Sequence, residues 1–174
     1  MLRVESIESK IIPLHELDKA LGRWRLKGQR IVFTNGVFDI LHRGHVTLLA
    51  EAKSMGHLLI LGLNSDESVR SLGKGPERPI NSEQDRAFVL AGLSSIDGVV
   101  IFGDSTPYNL IKQIQPDVLV KGGDYDPNET NSNAKNYVVG SDLQNEGGRL
   151  TVCIDLVDGF STTSVVKKMS DGKA

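Results

Sequence analysis

Apolar runs and amphipathic stretches alternate along most of this chain. Five short apolar runs have the length and composition of buried strands, and they lie at residues 30–34, 57–63, 97–102, 117–121 and 150–156. Strands that alternate with helices are joined by right-handed crossovers, which place them in a parallel sheet with both faces covered. The pattern therefore predicts an α/β fold, with a five-stranded parallel sheet between two helical layers in a single domain.

The segments around these runs carry helical signals. Apolar residues at helical spacing predict an amphipathic helix ahead of the first strand. They are Leu14, Leu17, Leu21 and Trp24. Further helices are predicted at residues 44–56, 65–72, 82–93, 106–114, 136–148 and 161–169.

Signals at the helix ends and in the loops divide the chain further. Ser65 or Asp66 is expected to cap the helix at 65–72, and Ser82 the helix that follows it. Residues 73–81 are rich in glycine, proline and charge, which predicts a loop. We expect residues 1–29 to form a helical extension and residues 30–170 to form the main domain.

Composition excludes several classes of protein. The chain has 174 residues, of which 39% are hydrophobic and 24% charged, as expected for one globular domain. A formal net charge of −2 gives no indication of a nucleic-acid or anionic-membrane surface. The single cysteine, Cys153, excludes an internal disulfide and a cysteine metal cluster. The first residues do not resemble a signal peptide and the apolar runs are too short to span a bilayer, so we expect a cytoplasmic protein.

Two histidines three residues apart follow the first strand, in the segment FTNGVFDILHRGH at residues 33–45. Ligands of parallel sheets bind at the carboxyl ends of strands, and the helix that begins near Gly44 directs its amino-terminal amides to the same place. His42 and His45 beside this helix start suit an anion with several oxygens, such as a polyphosphate. A structural histidine pair and a metal site stay open as alternatives, although the other histidines lie away from this segment.

The carboxyl ends of the fourth and fifth strands carry similar donors. Lys121 ends the fourth strand, where a lysine provides a point charge for phosphate. After the fifth strand, Gly159 permits a turn, and residues 161–163 offer hydroxyls and amides at the start of a helix. Plain helix capping is the alternative interpretation of these three residues. Because the three strand ends meet at one rim of the sheet, their combination favours phosphate binding.

Two motifs in this order resemble the nucleotidylyltransferase α/β-phosphodiesterase superfamily. They are H-x-G-H at residues 42–45, preceded by Gly36, Phe38 and Asp39, and GFSTT at residues 159–163. The similarity extends over residues 30–170. Within the superfamily, the segments most similar to adenylyltransferase domains for D-glycero-β-D-manno-heptose 1-phosphate are GVFDILHRGHVTLLAEAKSMG, NSDESVRSL, RPINSEQDR, DVLVKGGDY and DGFSTTSVVKK.

The resemblance implies a Rossmann-like nucleotidyltransferase that transfers AMP from ATP to a heptose 1-phosphate, with Mg²⁺, and releases pyrophosphate. The ADP-heptose would feed the synthesis of lipopolysaccharide or related surface glycans. The implied partners are ATP and a small sugar phosphate, without nucleic acid or membrane, and the family forms homo-oligomers, often dimers. These enzymes are often fused to a sugar kinase, for which the segment ahead of the first strand is too short, so we expect a separate heptose kinase.

The resemblance also implies roles for individual residues. His42, His45 and Lys121 would be catalytic, holding the triphosphate and stabilising the transition state. Residues expected to bind the nucleotide, through backbone in the first loop and through side chains elsewhere, are Gly36, Val37, Phe38, Asp39, Gly44, Arg86, Gly159, Ser161, Thr162 and Thr163. Lys74 and Asp124 would contact the acceptor substrate, with a solvated loop lysine as the alternative for Lys74.

Several interpretations stay open at this point. Asp39 is expected to orient its loop by accepting backbone N–H bonds, with Mg²⁺ binding as the alternative, and no metal site is predicted from protein side chains directly. Leu156 stands where related cytidylyltransferases carry an arginine, which favours ATP over CTP. The alternatives are a cytidylyl- or adenylyltransferase for another phosphorylated acceptor, such as glycerol 3-phosphate, and a nucleotide-binding module without turnover.

Overall fold

The computed structural model describes residues 3–73, 75, 77–155 and 172. In this part of the chain the helices are α1 (Val4–Glu8), α2 (Leu14–Leu26), α3 (Arg43–Ser54), α4 (Asp66–Ser71), α5 (Glu83–Ala91), α6 (Tyr108–Ile114) and α7 (Ser141–Glu146). The strands are β1 (Ile31–Gly36), β2 (Leu58–Asn64), β3 (Gly98–Phe102), β4 (Val118–Gly122) and β5 (Leu150–Ile154). Every predicted strand is present, and the helix predicted at 161–169 lies outside the described residues.

The strands form one parallel sheet in the order β3-β2-β1-β4-β5. This confirms the predicted five-stranded parallel sheet. The direction of winding reverses between β1 and β4, because β2 lies on one side of β1 and β4 on the other. Loops leaving the carboxyl ends of β1 and β4 therefore diverge and leave a crevice, which is where doubly wound sheets bind ligands.

Alternation along the strands separates two apolar layers. Val32 and Leu61 point into the layer beneath α3 and α5. Phe33 and Ile60 point into the opposite layer, beneath α2 and α6. Because strands covered on both faces bury nearly every residue, they show up in the sequence as continuous apolar runs.

The amino-terminal segment packs directly on the sheet. Leu17 and Leu21 of α2 are 0% and 2% exposed within the second apolar layer. The backbone of residues 10–12 pairs with Val99 in β3 through two hydrogen bonds of 2.8 Å. These residues extend the core, and the proposed boundary at residue 29 stays a prediction.

One helix end agrees with the sequence expectation and another differs from it. Ser65 is the cap of α4, since its side chain accepts from the Ser68 N–H, and Asp66 is the first helical residue. The helix predicted at 136–148 is shorter, because Gly140 has φ 91°, a left-handed conformation that cannot continue a helix, so α7 begins at Ser141. Among the described residues, every helix is too short or too polar to cross a bilayer.

Candidate active site

The loop between β1 and α3 folds back sharply at Phe38. Phe38 has φ 48°, an unusual conformation for a residue with a side chain, and it is 6% exposed. A Cβ atom on Gly36 would lie 2.8 Å from Phe38 Cε2, so the turn requires glycine there. The Phe38 ring packs against His45, with 5.0 Å between ring centroids. Such backbone strain is characteristic of functional loops whose surroundings hold them in place.

The two histidines of the H-x-G-H motif form a stacked pair at the start of α3. His42 occupies the cap position and His45 lies in the first turn, with ring centroids 3.8 Å apart and an angle of 19° between the rings. Both Nδ1 atoms are buried and have no hydrogen-bond partner within the described residues. Since both histidines are only partly buried, the ring atoms other than the enclosed Nδ1 are the ones open to a ligand at the amino-terminal end of the helix.

Burial disfavours the charged form of both rings. Desolvation by burial lowers the pKa of His42 below its usual value. Burial, and to a lesser extent repulsion from His42, lowers the pKa of His45 to about 4, with a partly opposing contribution from the Ile40 backbone. A bound polyanion would favour protonation and reverse these shifts.

Asp39 fixes the loop that carries Phe38. Its side chain is fully buried, accepts from the backbone N–H groups of Ile80 and Asn81 at 2.9 Å each, and pairs with Arg78 Nε at 2.9 Å. These are the backbone bonds expected of Asp39 from the sequence. Since its oxygens are used by these donors, Asp39 is a poor candidate for a Mg²⁺ ligand.

Arg86 supports the same loop through its guanidinium group. Its side chain is 1% exposed, donates to the carbonyls of Val37 (2.6 Å) and Asn81 (3.1 Å), and pairs with Asp66 Oδ1 at 2.7 Å. The structure therefore corrects the expectation that Arg86 contacts phosphate, because its guanidinium is buried and bonded to groups of the protein itself. It also corrects the expectation of a capping role for Asp66, which pairs with Arg86.

A cavity of about 510 Å³ opens at the carboxyl ends of the strands. Its walls come from the β1–α3 loop, α3, and the loops after β2, β3 and β4. They are formed by Asn35, Gly36, Val37, Phe38, His45, Leu48, Asn64, Leu72, Ser105, Thr106, Pro107, Lys121, Gly122, Tyr125 and Val139. The cavity thus joins the predicted residues Gly36, Val37, Phe38, His45 and Lys121 at the β1–β4 crevice.

The other predicted site residues lie in different places. His42 stacks on His45, and Gly44 is buried in the first turn of α3. Asp124 is exposed and does not line this cavity. Residues that lie outside the described part of the chain are Lys74, Gly159, Ser161, Thr162 and Thr163.

Two asparagines in the cavity wall were not singled out from the sequence. Asn35 and Asn64 stand at the carboxyl ends of β1 and β2, where each interrupts an apolar run with a polar side chain. A buried strand that ends in a carboxamide at the ligand edge of a sheet is a signal that could have identified them.

The segment at 134–148, most of which was predicted as a helix, contributes Val139 to the cavity wall. It is anchored by Asp142, whose carboxylate accepts from the hydroxyls of Tyr108 (2.8 Å) and Tyr137 (3.1 Å). The hydrogen bond to Asp142 is the main cause that raises the pKa of Tyr108. This bridge joins the start of α6 to α7.

Comparison with known proteins identifies the family. Residues 33–166 match the family model described as cytidylyltransferase-like. The chain belongs to the cytidylyltransferase-like family. This membership confirms the resemblance drawn from the two motifs and, with it, the predicted class of enzyme, a nucleotidyltransferase.

Curated relatives share about half of their residues with this chain. It is 52% identical over 162 residues to the bifunctional protein HldE of Wolinella succinogenes, covering 93% of this chain and 31% of that protein. It is 54% identical over 168 residues to the bifunctional protein HldE of Nitratiruptor sp., covering 97% and 34% respectively. The chain therefore spans about a third of the length of these relatives.

Solved structures share the fold of this family member. A lipopolysaccharide core biosynthesis protein from Thermoplasma volcanium matches with TM-score 0.56 and 25% identity, covering 75% of this chain and 98% of that one. A pantoate-beta-alanine ligase from Francisella tularensis, complexed with beta-gamma ATP and beta-alanine, matches with TM-score 0.57 and 13% identity, covering 90% and 75%. At that identity the second match shows the fold alone.

Proposed function

We propose that this protein transfers AMP from ATP to a heptose 1-phosphate, giving ADP-heptose and pyrophosphate. The observation that carries the proposal is the stacked His42–His45 pair at the start of α3, beside a cavity that also contains Lys121. Identity of about half to bifunctional HldE proteins supports the heptose assignment, together with the motifs that resemble heptose 1-phosphate adenylyltransferases.

The chemistry is an in-line displacement at the α-phosphorus of ATP. An oxygen of the sugar phosphate forms the new P–O bond, while the bond to the oxygen that bridges the α- and β-phosphates breaks and pyrophosphate leaves with the electron pair. The nucleophile is already anionic, so no general base is needed. Positioning of two polyanions and offsetting of their charge therefore dominate catalysis.

The proposed roles follow from the cavity for His45, Lys121 and the first loop, and from the family resemblance for the remaining residues. His42 and His45 hold the triphosphate and offset the charge that develops in the transition state, and Lys121 adds a positive charge from β4. The backbone of residues 36–38 approaches the nucleotide, and Ser161, Thr162 and Thr163 hold the β- and γ-phosphates. Lys74 and Asp124 are proposed contacts to the acceptor.

Any Mg²⁺ in the proposed reaction would be held mainly by the substrate phosphates. Within the described residues, no three His, Cys, Asp or Glu side chains come together to hold a metal ion. Mg²⁺ keeps several waters and binds substrate phosphates readily, so it would enter on the triphosphate and supply charge neutralisation there.

The proposed reaction also implies a source for its substrate, a cellular location and an oligomeric state. A kinase reaction must supply the sugar phosphate, and the reaction belongs in the cytoplasm, where ATP and sugar phosphates are found. A homo-oligomer, most simply a dimer, is proposed from the family resemblance and is tested by light scattering of the purified protein.

Pyrophosphate release tests the function directly. The purified chain is incubated with ATP and Mg²⁺, with heptose 1-phosphate, with glycerol 3-phosphate or without an acceptor. Pyrophosphate release is expected only in the mixture that contains heptose 1-phosphate. Release with glycerol 3-phosphate instead would indicate another acceptor class, and nucleotide binding without release in any mixture would indicate a binding module.

A further inference from the structure

The carboxamide of Asn64 is fixed in one orientation at the end of β2. Asn64 is 5% exposed, its Nδ2 donates to Ser68 Oγ (3.0 Å), and Ser68 Oγ donates to the Asp104 carbonyl (3.0 Å). A carbonyl oxygen only accepts, so Ser68 must donate to Asp104 and accept from Asn64. These hydrogen bonds use the amide nitrogen of Asn64 and leave its carbonyl oxygen unused. Asn64 also lines the cavity.

Asn35 lies on the same face of the sheet, one strand away. The β1–β2 register pairs Asn35 with Gly62, two residues before Asn64, and side chains two apart along a strand share a face. A Cβ atom on Gly62 would lie 3.2 Å from the Asn35 Cβ and 2.7 Å from Phe33 Cζ, so glycine keeps the space beside Asn35 open.

The carboxamide of Asn35 is not satisfied inside the protein. Its Oδ1 is buried and has no hydrogen-bond partner in the described part of the chain. An unpaired buried oxygen is unfavourable, and a donor brought by a ligand would relieve it after rotation of the amide group. The unpaired carboxamide of Asn35 is therefore what we expect of a residue that hydrogen-bonds to a substrate.

The two halves of the cavity differ in charge. On the side of β4 and α3, Lys121 and His45 suit phosphate. On the side of β2 and β3, the described lining residues are neutral, and Asn64 is accompanied by Ser105 and Thr106. A fully ionised phosphate has no hydrogen to donate to a carbonyl oxygen, so this neutral half suits hydroxyl groups.

We propose that Asn64, with Asn35 beside it, accepts hydrogen bonds from hydroxyl groups of the acceptor sugar and so determines acceptor specificity. The inference rests on the proposed function, because it names the part of the cavity that recognises the sugar. An acceptor without these hydroxyls leaves the carboxamides unpaired, which is the condition under which a site discriminates strongly.

Direct binding tests the inference without turnover. Heptose 1-phosphate and inorganic phosphate are titrated calorimetrically into the wild-type protein, Asn64→Ala and Asn35→Ala. The wild type is expected to bind heptose 1-phosphate at least about tenfold more tightly than inorganic phosphate, and each variant to lose most of that difference while its phosphate affinity stays unchanged. Asn145→Ala, on the exposed side of α7, is the matched control and keeps the wild-type values.

Two further readouts separate recognition of the sugar from other roles. Asn35→Ala removes an unpaired atom, so its thermal midpoint is expected to stay level or rise, whereas a structural role would lower it. Should Asn64→Ala fold poorly, Ser68→Ala releases the carboxamide without removing it and is expected to weaken heptose 1-phosphate binding less.

The inference would be overturned by unchanged heptose 1-phosphate binding in the variants or, in a parallel ATP titration, by an equal loss of ATP affinity, which would assign the carboxamides to the ribose. A wild-type protein that binds heptose 1-phosphate no better than inorganic phosphate would also overturn it. Absence of pyrophosphate release by a protein that still discriminates the two ligands would count against the proposed function alone.

Discussion

At the scale of single residues, His45 is the side chain on which the proposed chemistry depends most. Its ring packs against Phe38 and stacks on His42 at the start of a helix, so its position is fixed before a substrate binds. A donor positioned before the substrate arrives needs no reorganisation during the reaction, which is the property that makes such groups effective.

Removal of this ring should reduce turnover without unfolding the protein. His45→Ala is expected to lower kcat by roughly 10²–10³-fold, the scale observed when one preorganised transition-state donor is lost. Steady-state pyrophosphate release measures it, with circular dichroism as the check on folding. Near-normal kcat in a folded variant would remove His45 from the catalytic residues.

The ionisation of His45 gives a second test. Its pKa of about 4 in the folded chain lies below the ordinary value of 6.5, so the unfolded chain binds more protons between these pH values. Stability is therefore expected to fall as pH decreases from 6.5 to about 4, and ATP should raise the pKa because the anion favours the imidazolium. Histidine NMR titration with and without ATP measures both values, and a ring that titrates near 6.5 without ATP would contradict the burial effect.

At the scale of elements, the loop after β1 is held by the segment that leads into α5. Asp39 accepts from Ile80 and Asn81, and Arg86 donates to Val37, so residues about forty positions apart in sequence fix the strained turn at Phe38. The β1–α3 loop and the start of α5 are therefore joined by direct hydrogen bonds.

Breaking this tether should cost both stability and nucleotide affinity. Asp39→Ala leaves Arg78 and two backbone donors without their acceptor, and we expect the free energy of unfolding to fall by about 3 kcal/mol. The KM for ATP should rise because the loop is no longer fixed. Urea unfolding and ATP titration measure the two effects, with the exposed Asp18→Ala as control. A variant with wild-type stability and wild-type KM would show that the β1–α3 loop keeps its conformation without Asp39.

Sequence patterns predict the strands of this chain better than they predict the residues that support the site. Buried parallel strands appear as continuous apolar runs, and the H-x-G-H motif is local, so both are visible in the chain alone. The role of Arg86 depends on a carbonyl at Val37 that only the fold brings near, and Asn64 is oriented by Ser68 and Asp104. The helix predicted at 136–148 was too long because the backbone at Gly140 turns left-handed.

At the scale of the whole molecule, the sheet order explains why one cavity has two kinds of lining. The reversal between β1 and β4 opens the crevice, with cationic and imidazole donors on one side and neutral carboxamides on the other. Membership of the cytidylyltransferase-like family establishes the class of enzyme, while the donor nucleotide and the acceptor belong to the proposal.

Nucleotide choice tests the central claim most directly. With heptose 1-phosphate as acceptor and Mg²⁺ present, rates of pyrophosphate release are compared for ATP and CTP, and the sugar nucleotide is identified by mass spectrometry. A pocket built for one base edge leaves its polar groups unpaired with the other, so kcat/KM for ATP is expected to exceed that for CTP at least ~10²-fold, or about 2.7 kcal/mol. ADP-heptose should be the product. Equal or higher efficiency with CTP would contradict the adenylyl assignment.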